Sequence, residues 1–585
     1  MALTKTQLYL SVTSLMSILT VFTTLYLSGM DSLSTDTSLR YKSKPSRLFM
    51  HPVLSKVKRN LSAHPFCPNL QFEQKRIYHT YEDHIPSQVT WTSLLDMTHP
   101  NFTTFQIAGR NKESFSKYLV CDKLGLIIQA RNGHNESKTY GGDYFRAKIF
   151  TRNSTFQASS MSDGEVIDHG NGTYSAFFTL KWAGVVGIQV TLVHSSEANY
   201  VLRRLQKEEV IRSNFKGRFY STDPKKAEET FCNMDLNMLN VTVPEKESCN
   251  FTDASTGSPW FCVKPHNFPC SNLVMDHQVG HSNENKISAI ERLSFTWSDK
   301  KIAGTENRFV VHHLPGKESI VHSGALDQLP PCRPMVHFGT PEVAGFYWGK
   351  YWHSADCNIQ AFNKLQASSI LRNKTVYFFG DSTVRQLMEF YVKLFGLKTN
   401  PAPKKGDPWY VGRTIAKDSR NNIDFQFQFH GHPIGKRAWA NISIIEYIAN
   451  LIDRVKGGEN TVLVLTLWAH FTTFPPWYYE ARVDDILESV RRLQERSPRT
   501  LVVWKSANTR EHHGLDHYLK CSDWTARNLD RRMRNKVLAY DNVGFMDAWD
   551  MTNAQLETDS VHPKGSHVEN LSNKLLTYVL NHDAS

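Results

Sequence analysis

The spacing of apolar residues changes along this chain, and the two rhythms require two different folds. Between about residues 86 and 205, apolar positions alternate with polar ones. Tyr174, Ala176, Phe178 and Leu180 fall on one face, and Ile188, Val190 and Leu192 alternate with Gln189 and Thr191. Glycine turns separate these stretches, at Tyr140-Gly141-Gly142-Asp143, at Gly170-Asn171-Gly172-Thr173-Tyr174 and at Trp182-Ala183-Gly184. Period-two runs joined by such turns predict an all-β region. Beyond about residue 346, short unbroken apolar runs alternate with stretches of helical spacing. Residues 375–379, 424–429, 461–467, 501–504 and 543–548 read as strands. Residues 383–395, 442–455, 478–496, 524–538 and 568–580 read as helices, the first with Val384, Leu387, Met388, Tyr391 and Leu394 on one stripe. That alternation predicts a parallel sheet covered by helices on both faces.

At 585 residues the chain exceeds what one hydrophobic core supports. Residues 1–30 read as a signal peptide or signal anchor, 31–85 as a polar, basic stem, and 86–205 as an immunoglobulin-like sandwich. Residues 206–275 read as a cysteine-rich module, 276–345 as an irregular connector, and 346–585 as the three-layer α/β domain. The apolar run from Leu8 to Leu27 is long enough to cross a bilayer. Lys5 precedes it and Arg40, Lys42, Lys44 and Arg47 follow it, so the flanking charge sets no orientation. Any membrane contact is expected through this segment alone, and only where it is not cleaved.

Asn60, Asn101, Asn135, Asn153, Asn171, Asn240, Asn250, Asn373, Asn441 and Asn570 all open N-x-Ser/Thr with no proline between. Ten sequons spread along the chain predict a luminal or extracellular body. Nine cysteines agree with that compartment. Cys232, Cys249, Cys262 and Cys270 lie close together without a C-x2-C pair, so two disulfides among these four are expected in place of a metal site. The odd count leaves at least one thiol unpaired or bonded to another chain. The net charge of +12 is spread thinly, and its densest run is Arg527, Arg531, Arg532, Arg534 and Lys536. Without a nucleic-acid motif beside it, that run reads as a solvated helix face, and no nucleic-acid partner is expected.

Gly380-Asp381-Ser382 stands between the first α/β strand and the helix that follows. Ligands of open α/β sheets bind at the carboxyl ends of the strands, where helix N-terminal N–H groups can face a developing oxyanion. The bland role for Asp381 or Ser382 is a helix cap. A nucleophilic serine needs a base, and the base an orienting partner. Asp559-Ser560-Val561-His562-Pro563 precedes the last helix, and a three-residue spacing lets one turn present Asp559 and His562 together.

These motifs resemble a family. Gly380-Asp381-Ser382-Thr383-Val384-Arg385-Gln386 with the D-x-x-H-P run is similar to the PC-esterase branch of the GDSL/SGNH hydrolases. The Gly170–Tyr174 turn resembles a filamin-type repeat. Asn250-Phe251-Thr252-Asp253, Gly257-Ser258-Pro259-Trp260-Phe261-Cys262 and the Tyr140–Tyr144 stretch resemble the neurexophilin module. That order of modules is the layout of the NXPE (neurexophilin and PC-esterase) family. The resemblance implies Ser382 as nucleophile, His562 as base and Asp559 as its orienter. It implies Arg385 as a donor to the acyl carbonyl; the bland alternative is a surface salt bridge. Such enzymes carry an oxyanion Asn at the end of a middle strand, whereas here that strand ends Leu467-Trp468-Ala469-His470-Phe471. His470 is a candidate donor in its place, with Asn508 and Gly431 as further candidates.

Two functions follow as expectations. The first is a secretory-pathway enzyme, secreted or held in the Golgi or ER lumen by a type II signal anchor. It would move an acetyl or related acyl group onto or off a glycan hydroxyl, with no tightly bound cofactor and acetyl-CoA as a candidate donor. The second is a secreted ligand that binds a cell-surface partner through its neurexophilin-like half and keeps the α/β domain as a scaffold.

Overall fold

The structure is a computed structural model. It describes residues 89–109, 117–154, 156–208, 213–236, 247–279, 286–313, 324–334 and 344–583, with Cys67, Ile85, Pro86 and Val321. Residues 403, 405, 409, 436–437, 541, 557–559 and 564 are excepted. The apolar N-terminal segment, nearly all of the stem, Asn60, Asn240 and Asp559 therefore lie outside the described residues. Among the described residues no helix is long and apolar enough to cross a membrane.

In the N-terminal half the alternation becomes pairing. Strand Lys123–Gln129 runs antiparallel to Thr173–Thr179, with Leu126 opposite Ala176. Strand Tyr144–Arg152 runs antiparallel to Gly184–His194. Leu124, Leu126, Ile128, Tyr174, Ala176, Phe178, Val190 and Leu192 form the core of this region. All these strands belong to one sheet of twelve. Two of its strands, Lys300–Gly304 and Arg308–His312, come from the stretch expected to be an irregular connector. Charged ends and five-residue lengths hid them in the sequence. A helix, Ser196–Lys207, also closes the stretch expected to be all β, with the Ser195 hydroxyl accepting from the Ala198 N–H.

The cysteine-rich module forms a sheet of six strands. Cys232 pairs with Cys262 and Cys249 with Cys270, so the four clustered cysteines form two disulfides among themselves. Cys67–Cys121 and Cys332–Cys357 are two more, and Cys521 is a buried free thiol. Four disulfides fit an oxidising, secretory compartment. The sixth strand of this sheet is Ala440–Asn441 of the α/β domain, which pairs with Leu273–Val279. Beside it Trp260 stacks flat on His432, ring centroids 4.0 Å apart.

Seven strands make the α/β sheet. Numbered within this domain they are β1 (Thr375–Gly380), β2 (Thr399–Asn400), β3 (Thr414–Asp418), β4 (Ile423–Phe429), β5 (Thr461–Leu465), β6 (Leu501–Lys505) and β7 (Val543–Met546). Their order is β2-β3-β4-β1-β5-β6-β7. The expected all-parallel sheet is corrected to a mixed one: β4, β1, β5, β6 and β7 are parallel, whereas β2 and β3 are antiparallel at one edge. β3 turns back into β4 through residues 419–422 alone, and a connection that short joins only antiparallel neighbours.

The basic helix is a second correction. Asp523–Val537 is not a solvated face: Arg527, Arg531 and Arg534 are buried. Arg534 binds Asp530 and both oxygens of Asp547, Arg527 binds Asp530, and Arg531 pairs with Glu165 from the N-terminal half. The Asn570 sequon is a third. Asn570 is 2% exposed, its amide donates to the Lys350 and Ser566 carbonyls, and its oxygen accepts from the Trp352 N–H. That side chain is structural and has no room for a glycan.

Candidate active site

Gly380 ends β1, the central strand, with φ +152°; a Cβ there would stand 2.2 Å from the Thr466 carbonyl oxygen. Only glycine fits this turn. Asp381 then caps the helix Ser382–Phe395, its carboxylate accepting from the Thr383 N–H (2.8 Å) and hydroxyl (2.7 Å). The stripe Val384, Leu387, Met388 and Tyr391 is buried, and Gly396 ends the helix in the left-handed region. Capping thus belongs to Asp381, which frees the neighbouring serine. Ser382 projects, half-buried, from the carboxyl end of the sheet.

His562 arrives from the loop before the last helix, and its Nε2 lies 2.7 Å from Ser382 Oγ, close enough to take the hydroxyl proton. Three contacts hold the loop. Gln386, one turn along the serine's own helix, donates to the Pro563 carbonyl (2.9 Å); Asn508 donates to the Val561 carbonyl (3.3 Å); and the Ser560 hydroxyl donates to the His562 carbonyl (3.1 Å). Burial, followed by the cations Arg385, Arg510 and Lys505, lowers the His562 pKa, against the opposing pull of Asp381. The ring is therefore neutral and basic at neutral pH. Asp559, three residues before it, is among the residues not described.

The oxyanion candidates separate. Arg385 donates to the Tyr410 hydroxyl (2.7 Å) and lies over that ring, and its ion pair with Glu389 (3.1 Å) is the surface bridge that the bland reading expects. The guanidinium is nevertheless largely buried, and its Nη1 has no hydrogen-bond partner among the described residues. His470 Nδ1 accepts from the Gly435 N–H (3.1 Å), which places its proton on Nε2. Burial pushes its pKa down to about 4, and it lies within electrostatic reach of Asp381, His562 and Arg385. Gly431 follows β4 beside the serine turn, where the His430 N–H donates to the Gly380 carbonyl (3.0 Å). Asn508 is corrected: it is fully buried, and its amide is spent on the Thr509 and Val561 carbonyls. It holds the histidine loop and has no donor left for an oxyanion.

Two ionisable groups, Asp381 and Lys505, meet at the hydroxyl of Thr383, next to Ser382, and only the first of them stands out in the sequence. Asp381 and Lys505 are both buried. Burial alone would raise the Asp381 pKa, but Lys505, His470, the Thr383 bond and His430 together hold it below the ordinary range. Nothing in the motif spacing marks Lys505, since β6 enters the domain more than a hundred residues after the serine. Among the described residues no cluster of three His, Cys, Asp or Glu side chains could hold a metal.

Comparison with known families agrees with the two-module layout. Residues 100–281 match the family model described as Neurexophilin, and residues 352–579 the one described as NXPE family member 4-like, C-terminal domain. The serine, the histidine and their supporting residues all fall inside the second match. With both modules present in this order, the chain belongs to the NXPE family.

Proposed function

We propose that this protein is a serine-dependent acyl-ester enzyme that moves an acetyl or related acyl group onto or off a glycan hydroxyl. One observation carries the reading: the 2.7 Å approach of His562 Nε2 to Ser382 Oγ, at the start of a helix and the end of a central strand. Ser382 Oγ attacks the acyl carbonyl while its proton passes to His562. The Ser382 N–H at the helix start, with Arg385 and His470, faces the oxyanion. His562 returns the proton to the leaving group, and the acyl group rests on Ser382. A glycan hydroxyl or water, deprotonated by His562, then takes the acyl group and frees the serine. Acetyl-CoA is the candidate donor, Asp559 the residue that orients His562, and the secretory lumen or the extracellular space the site of action. The alternative reading is a secreted ligand that binds a cell-surface partner through its neurexophilin-like half, residues 100–281, and keeps the α/β domain as a scaffold without turnover.

Loss of ester turnover tests the reading. Ser382→Ala is expected to abolish turnover with little change in Tm, and His562→Ala to do nearly the same. The double variant should lose almost nothing more, since members of one catalytic unit are not additive. A helix-cap role predicts the reverse for Ser382, a stability loss of about 1 kcal/mol with activity retained.

A further inference from the structure

The buried lysine beside Thr383 takes no part in the acyl-transfer steps, yet it joins the segments those steps depend on. Lys505 is the last residue of β6 and 1% exposed. Its ammonium donates to the Thr383 hydroxyl (3.2 Å), to the Ser506 carbonyl (3.1 Å) and to Asn508 Oδ1 (3.3 Å). Thr383 is the residue after the nucleophile. Asn508, oriented by that bond, uses its amide to hold the Val561 carbonyl, one residue before the base. Asp381, which accepts from the same Thr383 hydroxyl, continues the connection by accepting from the Ala469 N–H (3.1 Å), beside His470. The Thr466 hydroxyl in turn donates to the Lys505 carbonyl (2.9 Å). A methionine would fill the same volume without the cost of burying an ammonium, so packing alone does not account for a lysine.

We propose that Lys505 is a positioning residue of the serine site, whose ammonium clamps the nucleophile's helix to the loop that carries His562. This rests on the acyl-enzyme reading above. The charged or titratable groups that face the ammonium are Asp381 from the serine turn, Asp530 from the helix Asp523–Val537, His567 from the last helix and His562 from its loop. Burial pushes the Lys505 pKa down to about 8, against the upward pull of Asp381 and Asp530. The clamp is therefore fully charged only well below pH 8, and it weakens as the pH rises through that value, where the ammonium gives way to a neutral amine with one donor fewer. An unassisted Ser–His pair has no reason to slow there.

The test is the rate at which a fluorophosphonate probe labels Ser382 in the full-length protein, followed against pH, with circular dichroism at each pH to exclude unfolding. The expected wild-type rate falls with a midpoint near pH 8. A misplacement on the order of 1 Å can cost about a hundredfold in rate, so Lys505→Met is expected to label at least about tenfold more slowly and without the alkaline fall. Asn508→Ser keeps the charge and cuts the link to Val561; it should label slowly and retain the fall, and it serves where Lys505→Met does not fold. A wild-type rate that stays flat above pH 8, or an Asn508→Ser rate equal to wild type, overturns the clamp and leaves the nucleophile intact. No labelling of Ser382 in the wild type at any pH overturns the acyl-enzyme reading, and the clamp with it.

Discussion

At the scale of the residue, Arg385 sits between two roles. It forms the ion pair with Glu389 that any surface arginine seeks on a helix, and it keeps a buried Nη1, one turn from Ser382, that has no partner among the described residues. Arg385→Lys separates the two. An ammonium keeps the charge toward Glu389 but lacks the planar fork that binds Tyr410 and leaves a second donor free. Turnover should fall severalfold or more with an unchanged Tm, read from initial rates and a thermal melt; wild-type turnover returns Arg385 to the surface. Much of this arrangement was legible in the chain, because Gly380-Asp381-Ser382 marks a serine at a strand-turn-helix junction and the D-x-x-H run marks a histidine on the loop before the last helix. What was not legible is which atoms are already spent. Asn508 reads as a free amide until both its N–H bonds are seen on the Thr509 and Val561 carbonyls. Lys505 reads as the end of a strand until its ammonium is found on the hydroxyl of Thr383, the residue after the serine.

At the scale of the element, the helix Asp523–Val537 shows how far a local pattern can mislead. Its arginines follow one another at helical spacing, which in isolation describes a wetted face. Their partners Glu165, Asp547 and Glu480 lie on other elements, so the burial is tertiary and absent from the local sequence. Burial would raise the Asp547 pKa, yet Arg534 and Arg527 hold it well below the usual carboxylate range. A depressed carboxyl contributes stability above its unfolded pKa and loses it as the pH falls through the folded value. Arg534→Met leaves Asp530 and Asp547 without that guanidinium, so the loss should be about 3–5 kcal/mol at neutral pH. The deficit should shrink in acid, where those carboxylates are protonated; denaturant unfolding at both pH values measures it. A variant as stable as wild type at neutral pH would return the helix to the solvated reading.

At the scale of the whole molecule, the two rhythms of the sequence became separate sheets, but the boundaries between modules did not fall where composition changes. The supposed connector supplies Lys300–Gly304 and Arg308–His312 to the large sheet, and Ala440–Asn441 crosses from the α/β domain into the sheet of the cysteine module. Such short strands carry too few alternations to register as strands, and only their long partners define them. The modules are therefore stitched together, and the serine site stands within a body that includes the disulfide-bonded sheet. On the proposed function, this body carries an acyl group on Ser382 during turnover. The most direct test is intact-mass and peptide mass spectrometry after incubation with a fluorophosphonate or an activated acyl ester. One covalent adduct is expected, mapped to the peptide that holds Ser382, abolished in Ser382→Ala and strongly slowed in His562→Ala. An adduct that persists in Ser382→Ala, or a wild-type protein that never acquires one, would contradict the proposed function.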